Sequence, residues 1–198
     1  SFQLLMKGDF AEALKHVDLA ISKFPSTDFP EHFHIFNKVV KSEILARMGE
    51  LNKAIELANQ SYKELKKYYP NDSQFKLYRT ELILAFIYLK QGDLNKAKKL
   101  THSAIKGFDQ LFNKEDAYPL QGLAHTILGE IYAQQNNLPQ AVEEYNKSEA
   151  IYSHIFKTIE VDDISYLYKN FITLGIKMKD EGMIKKYLQL LTDHFGLD

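Results

Sequence analysis

Apolar residues recur at three- and four-residue steps along nearly the whole chain. One series runs from Phe75 to Leu89 and a second from Leu94 to Phe112. This spacing puts the apolar side chains on one face of an α-helix. The sequence has no sustained two-residue alternation and no Asn-Gly or Asp-Gly hairpin turn, which are the usual signals for strands. The predicted fold class is therefore all-α, with helices at about 10–24, 31–48, 51–69, 73–91, 94–112, 117–135, 138–156, 162–179 and 183–195.

A short turn signal precedes five of these helices at nearly constant intervals. The turns are Gly8-Asp9, Gly49-Glu50, Gly92-Asp93, Asn136-Asn137 and, in a degraded form, Gly182-Met183, separated by 41, 43, 44 and 46 residues. A fixed period in this range is typical of a stacked array of helix-turn-helix repeats. We expect repeats at 1–26 (partial), 31–70, 73–113, 117–157 and 162–196, within one domain spanning 1–198. Such arrays usually function through an extended surface and not through a catalytic pocket.

The residues around these turns resemble tetratricopeptide repeats (TPRs). The third copy carries Leu84-Ala85, Tyr88, Gly92-Asp93 and Ala97, and the fourth carries Leu128-Gly129, Tyr132 and Ala141. The small residues allow paired helices to approach closely. Gly at the turn adopts a left-handed backbone without steric cost, and the acid that follows caps the next helix. The resemblance implies a right-handed TPR superhelix, an α-solenoid of about four and a half repeats.

The period is longer than the usual TPR period of about 34 residues. Repeats of this length resemble those of kinesin light chains and of Gram-positive peptide-pheromone receptors of the Rap, PlcR and NprR type. If Gly8 closes the first helix of its repeat, Ser1 lies within that helix. We therefore expect the chain to be a fragment of a longer protein. In the pheromone receptors, the upstream part would be a DNA-binding or effector-binding segment.

Composition narrows the functional classes. The 198 residues carry a formal net charge of −1, which argues against direct nucleic-acid binding by this fragment. There are no cysteines, so disulfides and thiolate metal sites are excluded, and a reducing, cytoplasmic location is expected. No apolar run reaches the roughly 20 residues that span a bilayer, so no membrane association is expected.

No catalytic or cofactor motif is present. The sequence lacks Gly-x-Ser-x-Gly, a phosphate-binding glycine loop and a cysteine nucleophile, so the chain is predicted not to be an enzyme and to need no cofactor. His32 and His34 are two residues apart on a helix and do not converge on one metal ion. His125 is interpreted as a packed histidine and not as a catalytic base. The lysine pairs at 66–67, 98–99 and 185–186 lie on predicted second helices, where a solvated face is expected.

The TPR resemblance implies a concave face formed by the first helix of each repeat. Its residues stand 13, 10, 6, 3 and 2 positions before the turn residue. In the fifth repeat, counted from Gly182, these positions are Lys169, Ile172, Ile176, Lys179 and Asp180. Over all repeats, the residues predicted to contact a peptide or partner are Phe36, Val39, Glu43, Arg47, Arg79, Leu82, Phe86, Lys90, Thr126, Glu130 and Lys169.

These side chains combine apolar anchors with charges, which suits an extended peptide. We expect a non-catalytic peptide- or protein-binding module, and more specifically the C-terminal peptide-sensing domain of a bacterial transcriptional regulator. Val39 and Glu43 stand where a chaperone-tail clamp requires Lys and Asn, so chaperone-tail binding is not expected. The alternative is a structural assembly module that forms a homodimer through its terminal repeats or convex face.

Overall fold

The computed structural model describes residues 9–23, 31–68, 74–112, 118–155 and 162–195, and all its regular elements in this part of the chain are helices. These are α1 (Phe10–Lys23), α2 (Glu31–Arg47), α3 (Leu51–Tyr68), α4 (Gln74–Lys90), α5 (Leu94–Leu111), α6 (Pro119–Gln134), α7 (Leu138–Ile155), α8 (Asp162–Met178) and α9 (Glu181–Phe195). The all-α repeat fold is confirmed. The helix ends differ from the predicted ends by at most two residues.

Four turns share one hydrogen-bond pattern, which defines the repeat register. At Gly92, the N–H donates to the carbonyl of Leu89 (3.1 Å), and the next N–H, of Asp93, donates to that of Tyr88 (2.9 Å). The same pair of bonds forms at the three corresponding turns. Paired bonds of this kind satisfy the last carbonyls of a helix and require a left-handed residue. The left-handed residues are Gly49 (φ 85°), Gly92 (φ 82°), Asn136 (φ 60°) and Lys179 (φ 57°).

The predicted position of the fifth turn was therefore wrong. Lys179 is its left-handed residue, and Gly182 lies inside α9. Asp180 begins this helix, because its Oδ1 accepts the N–H of Met183 at 2.9 Å, as Asp93 accepts that of Lys96 at 3.1 Å. The turns at 49, 92, 136 and 179 are spaced by 43, 44 and 43 residues, so the repeat is more regular than the sequence indicated. The predicted turn residue Gly8 and the truncated first helix lie outside the described residues.

Within repeats three and four, tyrosine rings lie directly on glycines of the paired helix. Tyr78 of α4 covers Gly107 of α5, whereas in repeat four the glycines are in the first helix: Gly122 and Gly129 of α6 lie under Tyr152 and Tyr145 of α7. A Cβ added at Gly122 would lie 2.7 Å from the ring of Tyr152. The absence of a Cβ therefore sets how closely these helices approach.

The helices form two compact units, residues 1–111 and 112–198. In the first unit, α2 and α3 pair, α4 and α5 pair, and α2 also contacts α4. In the second unit, α6 pairs with α7 and α8 with α9, while α6 also contacts α8. The aromatic core of the second unit includes Phe171 and Tyr187, stacked with ring centroids 4.0 Å apart. Each unit thus places the first helices of consecutive repeats side by side. The single-domain assignment stays a prediction.

Candidate functional site

The candidate site is described for each unit by itself: it is the face of α2 and α4 in the first unit and the face of α6 and α8 in the second. We call this face of a unit the first-helix face. Its positions are those 13, 10, 6, 3 and 2 residues before the left-handed turn residue. With the turn at Lys179, the fifth-repeat positions are corrected to Tyr166, Lys169, Thr173, Ile176 and Lys177.

A buried ion pair joins α2 to α4 beneath this face. The Nη2 atom of Arg79 lies 2.6 Å from Oε2 of Glu43, and Nη2 of Arg47 lies 3.4 Å from Oε1 of the same carboxylate. The side chains of Arg79 and Glu43 are only 3% and 8% exposed. Burial disfavours the charge of Glu43, but the two arginines outweigh burial and lower the pKa of Glu43 below its ordinary value of 4.5. Glu43 and Arg79 therefore hold two repeats together.

Aromatic rings and cations lie next to one another on the same face. The guanidinium carbon of Arg79 lies 5.3 Å from the ring centroid of Phe36, and Nζ of Lys76 lies 5.8 Å from it. On α4, Nζ of Lys90 lies 5.2 Å from the ring centroid of Phe86. Phe36 and Phe86 are half-buried and Lys90 is exposed. These distances are within the range of cation–π attraction, which orients the cations over the rings.

The charges of α2 and α4 at this face are mainly positive. Arg79 and Glu43 form a buried pair whose charges cancel, and Arg47, Lys76 and Lys90 contribute three further positive charges. Lys76 was not among the residues predicted from the sequence, because it stands one helical turn before the five positions considered. The first unit therefore presents a cationic and aromatic surface.

Besides Glu43 and Arg79, three further residues predicted to contact a ligand lie beneath the face. Val39 and Thr126 are fully buried and Leu82 is 1% exposed. The hydroxyl of Thr126 donates to the carbonyl of Gly122 (3.1 Å) and lies 2.8 Å from that of Ser148. These side chains pack the helices against one another, and a ligand on the surface does not reach them.

In the second unit, Tyr166 takes the place that Arg79 has in the first. Its hydroxyl donates to Oε2 of Glu130, the acid that corresponds to Glu43, and Gln134 donates to the other carboxylate oxygen at 3.3 Å. Burial and the charge of Glu130 raise the pKa of Tyr166 well above its ordinary range. A neutral phenol thus replaces the guanidinium. Lys169 is exposed on the same helix.

Tyr166 is absent from the predicted residues because the positions of the fifth repeat were predicted from Gly182 and not from Lys179. The signal was available: the interval of 46 residues to Gly182 departs from the others, whereas Lys179 keeps the period and is followed by an acid, Asp180.

His125 is paired, in agreement with its interpretation as a packed residue. Its Nδ1 lies 2.6 Å from Oε2 of Glu144, whose other oxygen accepts from Lys147 at 2.7 Å. Burial opposes the charge of Glu144, but these two bonds outweigh it and lower the pKa of the carboxyl. The described residues contain no cluster of three or more metal-ligating side chains. The side chain of His32 lies outside the described part.

None of the described helices has the length and hydropathy needed to cross a membrane.

Comparisons with solved structures support the repeat fold. The chain is similar to BtubC (BKLC) from P. vanneervenii, with a TM-score of 0.66 and 17% identity over 94% of this chain and 73% of that one. It is also similar to two structures of nearly identical TPR-like repeats from a Podosopora anserina putative kinesin light chain, one of them a single-substitution variant. Both comparisons give 15% identity and cover 94% of this chain and 89% of that one, with TM-scores of 0.58 for the variant and 0.56 for the other. No family model and no curated protein matches the sequence.

At these identities the similarity establishes the fold alone. Of the two long-repeat types that the sequence resembles, the kinesin light chain repeats are among these structural neighbours. Similarity to the pheromone receptors, a role in transcription and a cytoplasmic location stay predictions. TPR-like repeats generally mediate protein interactions.

Proposed function

We propose that this chain binds an extended protein segment along the first-helix face of its first unit, without catalysis. The segment carries acidic side chains that meet the net positive charge of the first unit, and apolar side chains that contact Phe36 and Phe86. The observation that carries the proposal is the half-buried ring of Phe36, which has Nζ of Lys76 5.8 Å from its centroid and is supported by the buried guanidinium of Arg79 at 5.3 Å.

The chemistry of this group favours a peptide over a small metabolite. The cations and rings lie along two helices, α2 and α4. An extended segment can satisfy several such contacts at successive residues, with charges that fix its register. The ion pair between Arg79 and Glu43 supports the face from below, since it fixes α4 against α2.

Binding is tested with two fluorescent peptides of equal length, one alternating acidic and large apolar residues and the other with every acid replaced by lysine. Fluorescence anisotropy is expected to show binding of the acidic peptide, with an affinity that falls as salt is added. The variant Phe36→Ala is expected to weaken binding about fivefold, because it removes an aromatic contact of about 1 kcal/mol. Lys90→Glu is expected to weaken it at least as much, because it reverses a charge on the face.

The matched control is Lys106→Glu, which reverses an exposed charge on α5, a second helix. Equal affinity for the two peptides would refute the proposed ligand chemistry. Loss of binding in the α5 variant with retention in both first-helix variants would place the site on the opposite face.

A further inference from the structure

Two places on the first-helix face of the first unit combine an aromatic ring with a lysine. At the first, Nζ of Lys76 lies 5.8 Å from the ring centroid of Phe36. At the second, Nζ of Lys90 lies 5.2 Å from the ring centroid of Phe86. Both rings are half-buried, so each keeps part of its surface for an apolar contact. The distance between the two rings therefore sets the distance between two apolar contacts on a bound segment.

The repeat register gives this distance. Phe36 and Arg79 each stand thirteen residues before the left-handed residue of their turn, so they lie at the same level on α2 and α4. Phe86 stands seven residues after Arg79, which is about 10 Å along the axis of α4. Neighbouring helix axes lie about 8–10 Å apart, and the ring of Phe36 faces α4, because both its cations belong to that helix. The two rings are thus about 10–14 Å apart.

An extended segment can place two side chains at this distance in only one way. Each residue of an extended chain advances about 3.3 Å, and successive side chains point to opposite sides. Two side chains on the same side are therefore separated by an even number of residues. A separation of two residues spans about 7 Å and one of six spans about 20 Å, whereas a separation of four spans about 13 Å and matches the rings.

The second unit does not repeat this arrangement. At the positions of Phe36 and Phe86 it has Leu123 of α6 and Thr173 of α8. Leu123 is only 6% exposed, and the hydroxyl of Thr173 donates to the carbonyl of Lys169 at 2.9 Å. The spacing of two aromatic contacts is thus a property of the first unit and does not follow from the repeat alone.

We infer that the segment bound by the first unit carries two large apolar residues four positions apart and lies along α4, with one of them on Phe36 and the other on Phe86. Acidic residues lie outside this apolar pair. Lys76 and Lys90 are fourteen residues apart on α4, about 21 Å, so they stand beyond the two rings at either end. This inference rests on the proposed function and adds to it the spacing and the path of the segment.

The test is fluorescence anisotropy with a series of labelled peptides of the same length and composition. Each has two aspartates at either end, serine in the middle, and two leucines whose separation runs from two to eight residues. The peptide with a separation of four is expected to bind about fivefold more tightly than those with three or five, because an odd separation turns one leucine away from its ring.

The other outcomes separate this inference from the proposed function. Equal affinity at every separation overturns the spacing and leaves the proposed function standing. Tightest binding at a separation of seven overturns the extended path, because seven residues of a helix span about 10 Å and reach both rings. Absence of binding by every peptide overturns the proposed function and this inference together.

Variants of Phe86 test whether it supplies the second contact. In Phe86→Ala the preference for a separation of four is expected to vanish, whereas Phe86→Leu keeps an apolar contact and is expected to retain it. Lys106→Glu, on α5, is the control and is expected to leave the preference unchanged. Circular dichroism checks that each variant is folded. A preference for four that persists in Phe86→Ala shows that the second leucine binds elsewhere and overturns the inference.

Discussion

The ion pair between Glu43 and Arg79 allows a quantitative test of how the second and third repeats are joined. The perturbations are Glu43→Gln, Arg79→Met and the double variant. Removing one partner of a buried ion pair leaves the other charge buried and uncompensated, which costs about 3–5 kcal/mol. We expect a loss near the lower end, about 3 kcal/mol, for Glu43→Gln, because the amide retains some hydrogen bonding. For Arg79→Met we expect about 2 kcal/mol, because Arg47 still partners Glu43.

The double variant removes both charges and is expected to lose less than the sum of the single losses. The coupling free energy should be about 2 kcal/mol. The control is the surface pair of Lys53 and Glu50, which are 3.0 Å apart but 71% and 48% exposed. Its coupling should be below about 0.5 kcal/mol. Urea unfolding followed by circular dichroism gives both values.

The pH dependence supplies a second readout. The pKa of Glu43 is lowered in the folded chain, so the unfolded chain takes up a proton first as the pH falls. The stabilisation by Glu43 is therefore fully present above its ordinary pKa of 4.5 and is lost as the pH drops through the lowered folded value. Glu43→Gln should remove this part of the acid sensitivity. A coupling as small as that of the surface pair, or an unchanged acid sensitivity in Glu43→Gln, would refute this account of the contact.

Three further predictions concern the turns and the helix pairs, each measured as the free energy of unfolding in urea. Gly129→Ala should lower it by about 2 kcal/mol, because the added Cβ overlaps the ring of Tyr145; no loss would mean that the ring moves freely. Lys179→Gly should raise it by about 1 kcal/mol and Gly92→Lys should lower it by about as much, because both positions have positive φ; effects of equal sign would contradict this. Asp180→Ala should cost about 1 kcal/mol through loss of the cap, and a neutral result would argue against the corrected turn.

The fold was largely predictable because its signals are local. A left-handed residue followed by Glu, Asp or Asn marks each of the four turns, and the helical period of apolar residues marks the elements between turns. The exception was the fifth turn, where Gly182 was the more favourable residue for a left-handed backbone. There Lys179 accepts the strain of φ 57°, and the cap by Asp180 together with the two backbone bonds stabilises the turn.

The candidate site was predictable only in part, because it depends on contacts between repeats. The sequence predicted that Arg79 and Glu43 lie on one face. It did not predict that these two side chains form an ion pair with each other and are buried. That pairing depends on how closely α2 approaches α4, which no spacing within one helix encodes. For the same reason Val39 and Leu82 were expected on the surface and are buried.

The tyrosine–glycine contacts have a consequence for how such a chain can be recombined. In repeat three the ring lies in the first helix, Tyr78, and the glycine in the second, Gly107; in repeat four the glycine lies in the first helix, Gly122, and the ring in the second, Tyr152. Counted from the turn residue, the position of Gly107 in α5 is held by Ile151 in α7, so a hybrid that joined α4 to α7 would bring a branched side chain against the ring of Tyr78. The unit that can be shuffled, inserted or duplicated is therefore the complete hairpin, while a single helix cannot be exchanged alone.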